Sequence, residues 1–261
     1  MSADGDIAPA PATARSANGH GIALRTVGLS AGYDGSPVVH EISIEVAPGE
    51  VVSIVGPNGS GKSTLLKSIV GVVEVLAGRV LIAERDVTGA SPEDVARIGV
   101  GYVPQIDDVF APLTVRENLE MGGYLLRPRA VPARIEHVLQ TFPQLRRMTG
   151  RRAGKLSGGE RKMLAMGRVL MLEPALVVLD EPTANLAPII AGTVLREHVR
   201  ELAATGASVL IVEQRARAVL EISDRTYVLG GGQLRMEGTP SQLEASPEFV
   251  DSFLGGSARR A

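Results

Sequence analysis

The sequence predicts an α/β domain in which a mainly parallel sheet carries helices on both faces. Short apolar runs recur at 50–56, 100–104, 175–180, 207–213 and 226–230, and helical patterns lie between most of them. Runs that are apolar at nearly every position suit strands buried on both sides, as in parallel sheets. The chain has 261 residues, 44% of them hydrophobic, which is enough for one large core.

Each segment can be justified in order. Residues 1–20 are rich in Ala, Pro, Ser and Gly and lack the apolar stretch of a signal peptide, so they read as a disordered tail. From Ile22 to Val46 the pattern alternates, with Ile42, Ile44 and Val46 on one strand face. "EVVSIVG" (50–56) is a buried strand, and "GKSTLLKSIVGV" (61–72) a helix. Between Pro112 and Gly150 the strand-like runs stop. Thr114 and Glu117 there form a capping-box pattern that opens a helix, and a second helix covers Val131 to Phe142. This reads as a helical insertion in the α/β core. Strands resume at "ALVVLD", "ASVLIVE" and "TYVLG", with no internal repeat.

Composition narrows the chemistry. With no cysteine, disulfides, thiolate metal sites and cysteine nucleophiles are excluded. A net charge of −2 gives no general reason to expect nucleic-acid binding. The stretch 142–155 is locally basic, with Arg146, Arg147, Arg151, Arg152 and Lys155, but no aromatic platform accompanies it. A solvated loop is the favoured reading there. No apolar run is long enough for a membrane span, so the sequence reads as soluble, with any membrane role exercised through a partner.

Three motifs carry chemistry. "GPNGSGKST", spanning Gly56, Pro57, Asn58, Gly59, Ser60, Gly61, Lys62, Ser63 and Thr64, follows a strand and opens a helix. Its glycines let backbone N–H groups curl around a phosphate at a helix N-terminus. Lys62 would reach the β- and γ-phosphates of a nucleotide, and Ser63 would ligate Mg2+. "ALVVLDEP" ends a strand in two carboxylates. Asp180 would hold Mg2+ through water, and Glu181 would act on the attacking water as base or positioner. "LSGGE" places Ser157, Gly158, Gly159 and Glu160 at the start of a helical pattern in which Met163, Met166 and Leu170 recur. That is a natural anion site, or simply a helix cap.

The order of phosphate loop, "VPQ", "LSGGE" and "LDEP" resembles the ABC-type ATPases over residues 22 to 256. The resemblance implies a P-loop NTPase core with a mainly parallel sheet, an antiparallel β subdomain and a helical insertion at about 106–165. Residues 21–256 would form one ATPase domain, with a short tail at 257–261. It also implies that Ser157 to Glu160 bind ATP held in the phosphate loop of a second subunit, two chains closing head-to-tail around two nucleotides. Tyr33 lies where a ring stacks on adenine; an ordinary strand tyrosine is the lesser alternative, because aromatic residues favour strands anyway. Gln105 fits the glutamine that touches Mg2+ and the attacking water. Gln214 stands where the wider family has a histidine on the γ-phosphate; its amide can donate but does not titrate. Ala187 replaces the usual aspartate of "ANLAP" (184–188).

"NLAP", "VEQ", "LTVRENLEMGGY" and "DSFLGG" are similar to one branch, the second ATPase of branched-chain amino-acid importers, whose near relatives serve urea or short amides. This implies two membrane permeases, an extracytoplasmic binding protein, and a second ATPase or second copy of this chain, at the cytoplasmic face of the cell membrane. An export subunit and a permease-free ATP-dependent clamp are the competing readings. Ile106, Val109, Phe110 and Leu113 form an apolar cluster suited to docking a permease helix or to local burial. Asp107 and Asp108 beside it predict a basic residue on the permease.

Overall fold

The structure, a computed structural model, describes residues 20–106 and 108–255. The tails expected at either end therefore lie, His20 apart, outside the described residues, as does Asp107. Two sheets form the frame. The first is antiparallel: β1 (Leu24–Tyr33) pairs with β2 (Ser36–Ile42), with β3 (Glu45–Val46) and, on its other side, with a later strand. The alternation from Ile22 to Val46 is this sheet, and Ile42, Ile44 and Val46 are all buried.

β4 (Val51–Val55) belongs to the second sheet and feeds α1 (Lys62–Ile69). That helix stops earlier than the sequence expects because Gly71 takes φ 78°, and a Cβ there would lie 2.2 Å from the Ala90 carbonyl oxygen. β5 (Glu74–Ile82) then returns to the antiparallel sheet beside β1 and carries the two-residue β6 (Arg85–Asp86) at its edge. Helix α2 (Pro92–Arg97) leads into β7 (Val100–Val103). Four helices follow: α3 (Val115–Gly122), α4 (Val131–Thr141), α5 (Pro143–Arg146) and α6 (Gly158–Leu170). Thr114 and Glu117 make both bonds of the capping box expected for α3.

The chain resumes with β8 (Leu176–Asp180), then α7 (Pro188–Thr193), which continues through a π-helical turn at Val194–Val199 into α8 (Arg200–Ala204). β9 (Ser208–Glu213), α9 (Ala216–Leu220), β10 (Arg225–Gly230) and β11 (Gln233–Gly238) complete the second sheet. Its order is β11-β10-β4-β9-β8-β7, and every pair but β10–β11 is parallel. Strand periodicity splits each apolar run between the two faces. Val177, Leu179, Val209 and Ile211 join one core, while Leu176, Val178, Leu210 and Val212 join the other. Both faces are therefore dry, which is why these strands read as continuous apolar runs rather than alternating ones. Among the described residues no helix is long and apolar enough to cross a membrane.

Candidate functional site

Parallel sheets bind ligands beyond the carboxyl ends of their strands, where loops and helix N-termini converge. Here β4 runs into the glycine-rich loop at 56–64, β8 into Glu181, β7 into Gln105 and β9 into Gln214. Because β4, β9, β8 and β7 are successive neighbours in the sheet, residues distant in sequence share one cleft.

The loop at 56–64 is shaped by its glycines. Gly59 and Gly61 take φ 77° and 95°, and a Cβ on Gly56 would lie 2.2 Å from the Leu229 carbonyl oxygen. Gly61 precedes α1 with no side chain capping it, so the first N–H groups of α1 remain available. Ser60 Oγ is buried with no partner. Uncapped donors around a tight backbone cradle fit an anion such as a phosphate. Lys62, almost fully buried, donates from Nζ to the Gly56 and Pro57 carbonyls at 2.9 and 3.1 Å and lies 3.6 Å from Glu181 Oε1.

Two short contacts join the remaining groups. Ser63 Oγ donates to Asp180 Oδ1 at 2.8 Å, and Gln105 Nε2 donates to Glu181 Oε2 at 2.8 Å. A hydroxyl, one carboxylate and an amide oxygen form a hard oxygen donor set. Mg2+ characteristically takes few protein ligands and completes its shell with water and phosphate, so these residues fit it. Tyr102, which the sequence reading missed, donates from its hydroxyl to Asp180 Oδ2 at 3.2 Å. Burial first, and the neighbouring Asp180 second, push its phenol well above the ordinary range. Its only sequence signal is its place on β7, opposite Val178 and next to the acid-bearing end of β8.

Glu181 itself is held in an unusual backbone. Its φ is 45°, the left-handed region, while its N–H bonds the Val212 carbonyl at 3.0 Å. Glu213, also missed, supports this turn. Its buried carboxylate accepts from the N–H and hydroxyl of Thr183 at 2.9 and 2.8 Å. Burial raises Glu213 above the usual carboxylate range, against the hydrogen bonds from Thr183, and the negative Glu181 adds to the rise. Gln214 is exposed at the end of β9. Tyr33 ends β1 with half its surface exposed.

The "LSGGE" segment lies elsewhere. Ser157 caps α6, and Glu160 completes a capping box by accepting from the Ser157 N–H at 2.7 Å. The Glu160 carboxylate is thus engaged locally, with Arg151 3.7 Å away, while the Ser157 hydroxyl keeps its proton to donate. Gly158 and Gly159 are closely packed: a Cβ on Gly158 would lie 2.5 Å from a Leu186 methyl and one on Gly159 2.9 Å from an Ile190 methyl, so those side chains would have to move aside. Among the described contacts, none links Ser157–Glu160 to Lys62, Asp180 or Glu181.

One expectation is corrected. The counter-charge for Asp108, which the sequence reading assigned to a permease, is Lys162 of this chain, at 2.8 Å and nearly buried. The apolar cluster beside it also divides. Ile106 and Phe110 are exposed, whereas Val109 packs against the core and Leu113 is half-buried.

Comparison with known proteins follows the same lines. Residues 39–184 match the family described as ABC transporter. The chain is 40% identical over 232 residues to a probable branched-chain amino acid transport ATP-binding protein, LivF, of Archaeoglobus fulgidus, covering 89% of this chain and 98% of that one. It is 39% identical to the high-affinity branched-chain amino acid transport ATP-binding protein BraG of Pseudomonas aeruginosa, covering 87% and 97%. Among solved structures, the ADP conformation of an ATP-binding cassette of an ABC transporter superposes with a TM-score of 0.80 at 32% identity, covering 90% and 99% of the two chains.

Proposed function

The chain belongs to the ABC transporter ATP-binding family, and from that premise we propose that it is the ATP-hydrolysing subunit of an importer for branched-chain or related amino acids. The observation that carries the substrate class is the near-complete, mutual coverage of relatives named for branched-chain amino-acid transport. Residues 21–256 act as one ATPase domain, with a helical part at about 106–165.

In this reading the uncapped N-terminus of α1 and Lys62 receive the β- and γ-phosphates, trading carbonyl contacts for phosphate contacts. Tyr33 stacks on the adenine. Ser63, Asp180 and the amide oxygen of Gln105 would hold Mg2+, which neutralises phosphate charge when bound. Glu181, oriented by the Gln105 amide, takes or aligns the proton of the attacking water. Gln214 donates toward the γ-phosphate. Ser157, Gly158 and Gly159 face ATP held by a partner, either a related ATPase or a second copy, and Glu160 fixes their geometry. The exposed Ile106, Phe110, Met121 and Tyr124, on or beside the groove between α2 and α6, receive a helix of a membrane permease. The assembly thus sits on the inner face of the membrane, with an extracytoplasmic binding protein on the other side.

The test has two parts. Purified protein should hydrolyse MgATP, Lys62→Ala and Glu181→Gln should abolish turnover, and Glu181→Gln should retain bound ATP. Retained turnover in both variants would reject the site assignment. Affinity purification from detergent-solubilised native membranes should recover a permease pair and a second ATPase. Reproducible recovery of soluble partners alone would favour a permease-free clamp.

A further inference from the structure

Helix α6 carries two features that face different ATP sites. At its start stand Ser157 and Gly159, proposed to engage a partner's nucleotide. In its body, Lys162 Nζ donates to the Gln105 carbonyl at 2.9 Å and pairs with Asp108 Oδ2 at 2.8 Å. Six residues on, Arg168 donates to the Asp108 carbonyl at 2.5 Å and lies over the Phe110 ring at 4.5 Å. The segment after β7 is therefore gripped from one helix at both ends. The Lys162 side chain is 8% exposed and that of Asp108 12%, so the pair is poorly screened by water.

Gln105 is fixed on both sides. Its carbonyl is held by Lys162, and its side-chain amide donates to Glu181 Oε2. A displacement of α6 along its axis moves the Lys162 ammonium, and with it the peptide from which the Gln105 side chain projects.

We propose that Lys162 is a positioning residue that sets Gln105 against Glu181, so that α6 links the signature segment facing the partner's ATP to the catalytic carboxylate of its own chain. Engagement of Ser157 and Gly159 in one site then adjusts the water-orienting geometry of the other. The path is contiguous: Ser157 caps α6, Lys162 lies in its second turn, and Gln105 and Glu181 follow by direct hydrogen bonds. This inference rests on the proposed role of Glu181.

A test must avoid stranding a buried carboxylate, because removing Lys162 alone leaves Asp108 unpaired and can unfold the region. Both comparisons therefore use Asp108→Asn. Lys162→Gln in that background keeps an amide donor for the Gln105 carbonyl, and Lys162→Met removes it. We expect steady-state MgATP hydrolysis by the full chain to show kcat lowered about tenfold with Lys162→Met relative to Lys162→Gln, in the range of residue coupling between sites. KM for ATP should change less than about twofold, since the phosphate loop is untouched. When Gln105→Ala is added, the difference between Lys162→Met and Lys162→Gln should vanish, because the group that Lys162 positions is gone.

Equal kcat values for the two variants, or a loss that persists undiminished with Gln105→Ala, overturns the inference and leaves Lys162 a structural residue. If unsubstituted protein shows no MgATP turnover at all, the parent reading fails and this one with it. Normal turnover sensitive to Glu181→Gln, with no Lys162 effect, rejects this inference alone.

Discussion

Asn118 offers the sharpest quantitative test of how the segment beyond Gln105 is built. Its side chain is fully buried. Oδ1 accepts from the Phe110 N–H at 2.8 Å, and Nδ2 donates to the Phe110 and Thr114 carbonyls at 3.0 and 2.9 Å, with a weaker contact to Leu113 at 3.4 Å. Asn118→Ala removes all of these and fills the space with nothing polar. Three good hydrogen bonds at about 1 kcal/mol net each set a scale of about 3 kcal/mol. Phe110 lies partly in solvent, and water can satisfy its backbone once the loop opens, so about 2 kcal/mol is the expected local loss. That is roughly a thirtyfold rise in the opening equilibrium. Amide hydrogen exchange at Phe110 should report it, accelerating by the same factor while the strands of the parallel sheet stay protected. The permease-docking role predicts a second readout: weaker co-purification of membrane partners with ATP binding unchanged. Unaltered protection at Phe110 would refute the assignment of loop order to this side chain.

Other expectations concern the cleft and the helix crossings. Glu213 is held above its ordinary value of 4.5 by burial, so the native state keeps a proton that the unfolded chain releases as pH rises. Stability should therefore fall as pH climbs from about 4.5 toward the raised folded value. Glu213→Gln, which still accepts from Thr183, should flatten that slope in denaturant melts between about pH 4 and 8; an unchanged slope would contradict it. Gly61→Ala places a Cβ 2.5 Å from Val39 Cγ1 at φ 95° and should cost about 1–3 kcal/mol in thermal melts while weakening ATP binding in calorimetry. Gly122→Ala puts a Cβ 2.4 Å from the Arg168 carbonyl oxygen. Separating α3 from α6 in this way should cost about 1–3 kcal/mol, read as a lowered melting temperature with KM for ATP little changed.

The parallel strands were legible because burial on both faces leaves an unbroken apolar signature, and the tight turn after β4 was legible because its close backbone needs glycine at Gly56, Gly59 and Gly61. β5 was not, since Glu74 and Arg79 dilute it and Gly78 interrupts it, yet that glycine is needed: a Cβ there would meet the Gly28 carbonyl at 2.2 Å. β11 escaped for a related reason, being an antiparallel edge strand whose outward residues are polar. Asp108 misled because two adjacent acids look like a surface feature. Only the fold brings Lys162 to it, across a separation that no local pattern spans. Tyr102 and Glu213 sit inside apolar runs, where a reader of periodicity counts them as strand and looks no further.

Glu181 sits in the left-handed region of backbone space. Residues with a side chain disfavour φ 45°, and glycine alone adopts it freely. Under the catalytic role proposed above for Glu181, the position trades backbone ease for reactivity: glycine would relax the turn, while the proposed chemistry keeps a carboxylate there. Laboratory evolution of this chain for heat resistance alone should drift toward glycine at 181 and select protein that binds nucleotide, survives, and no longer works. Any thermostabilised descendant is best screened for catalysis in the same round.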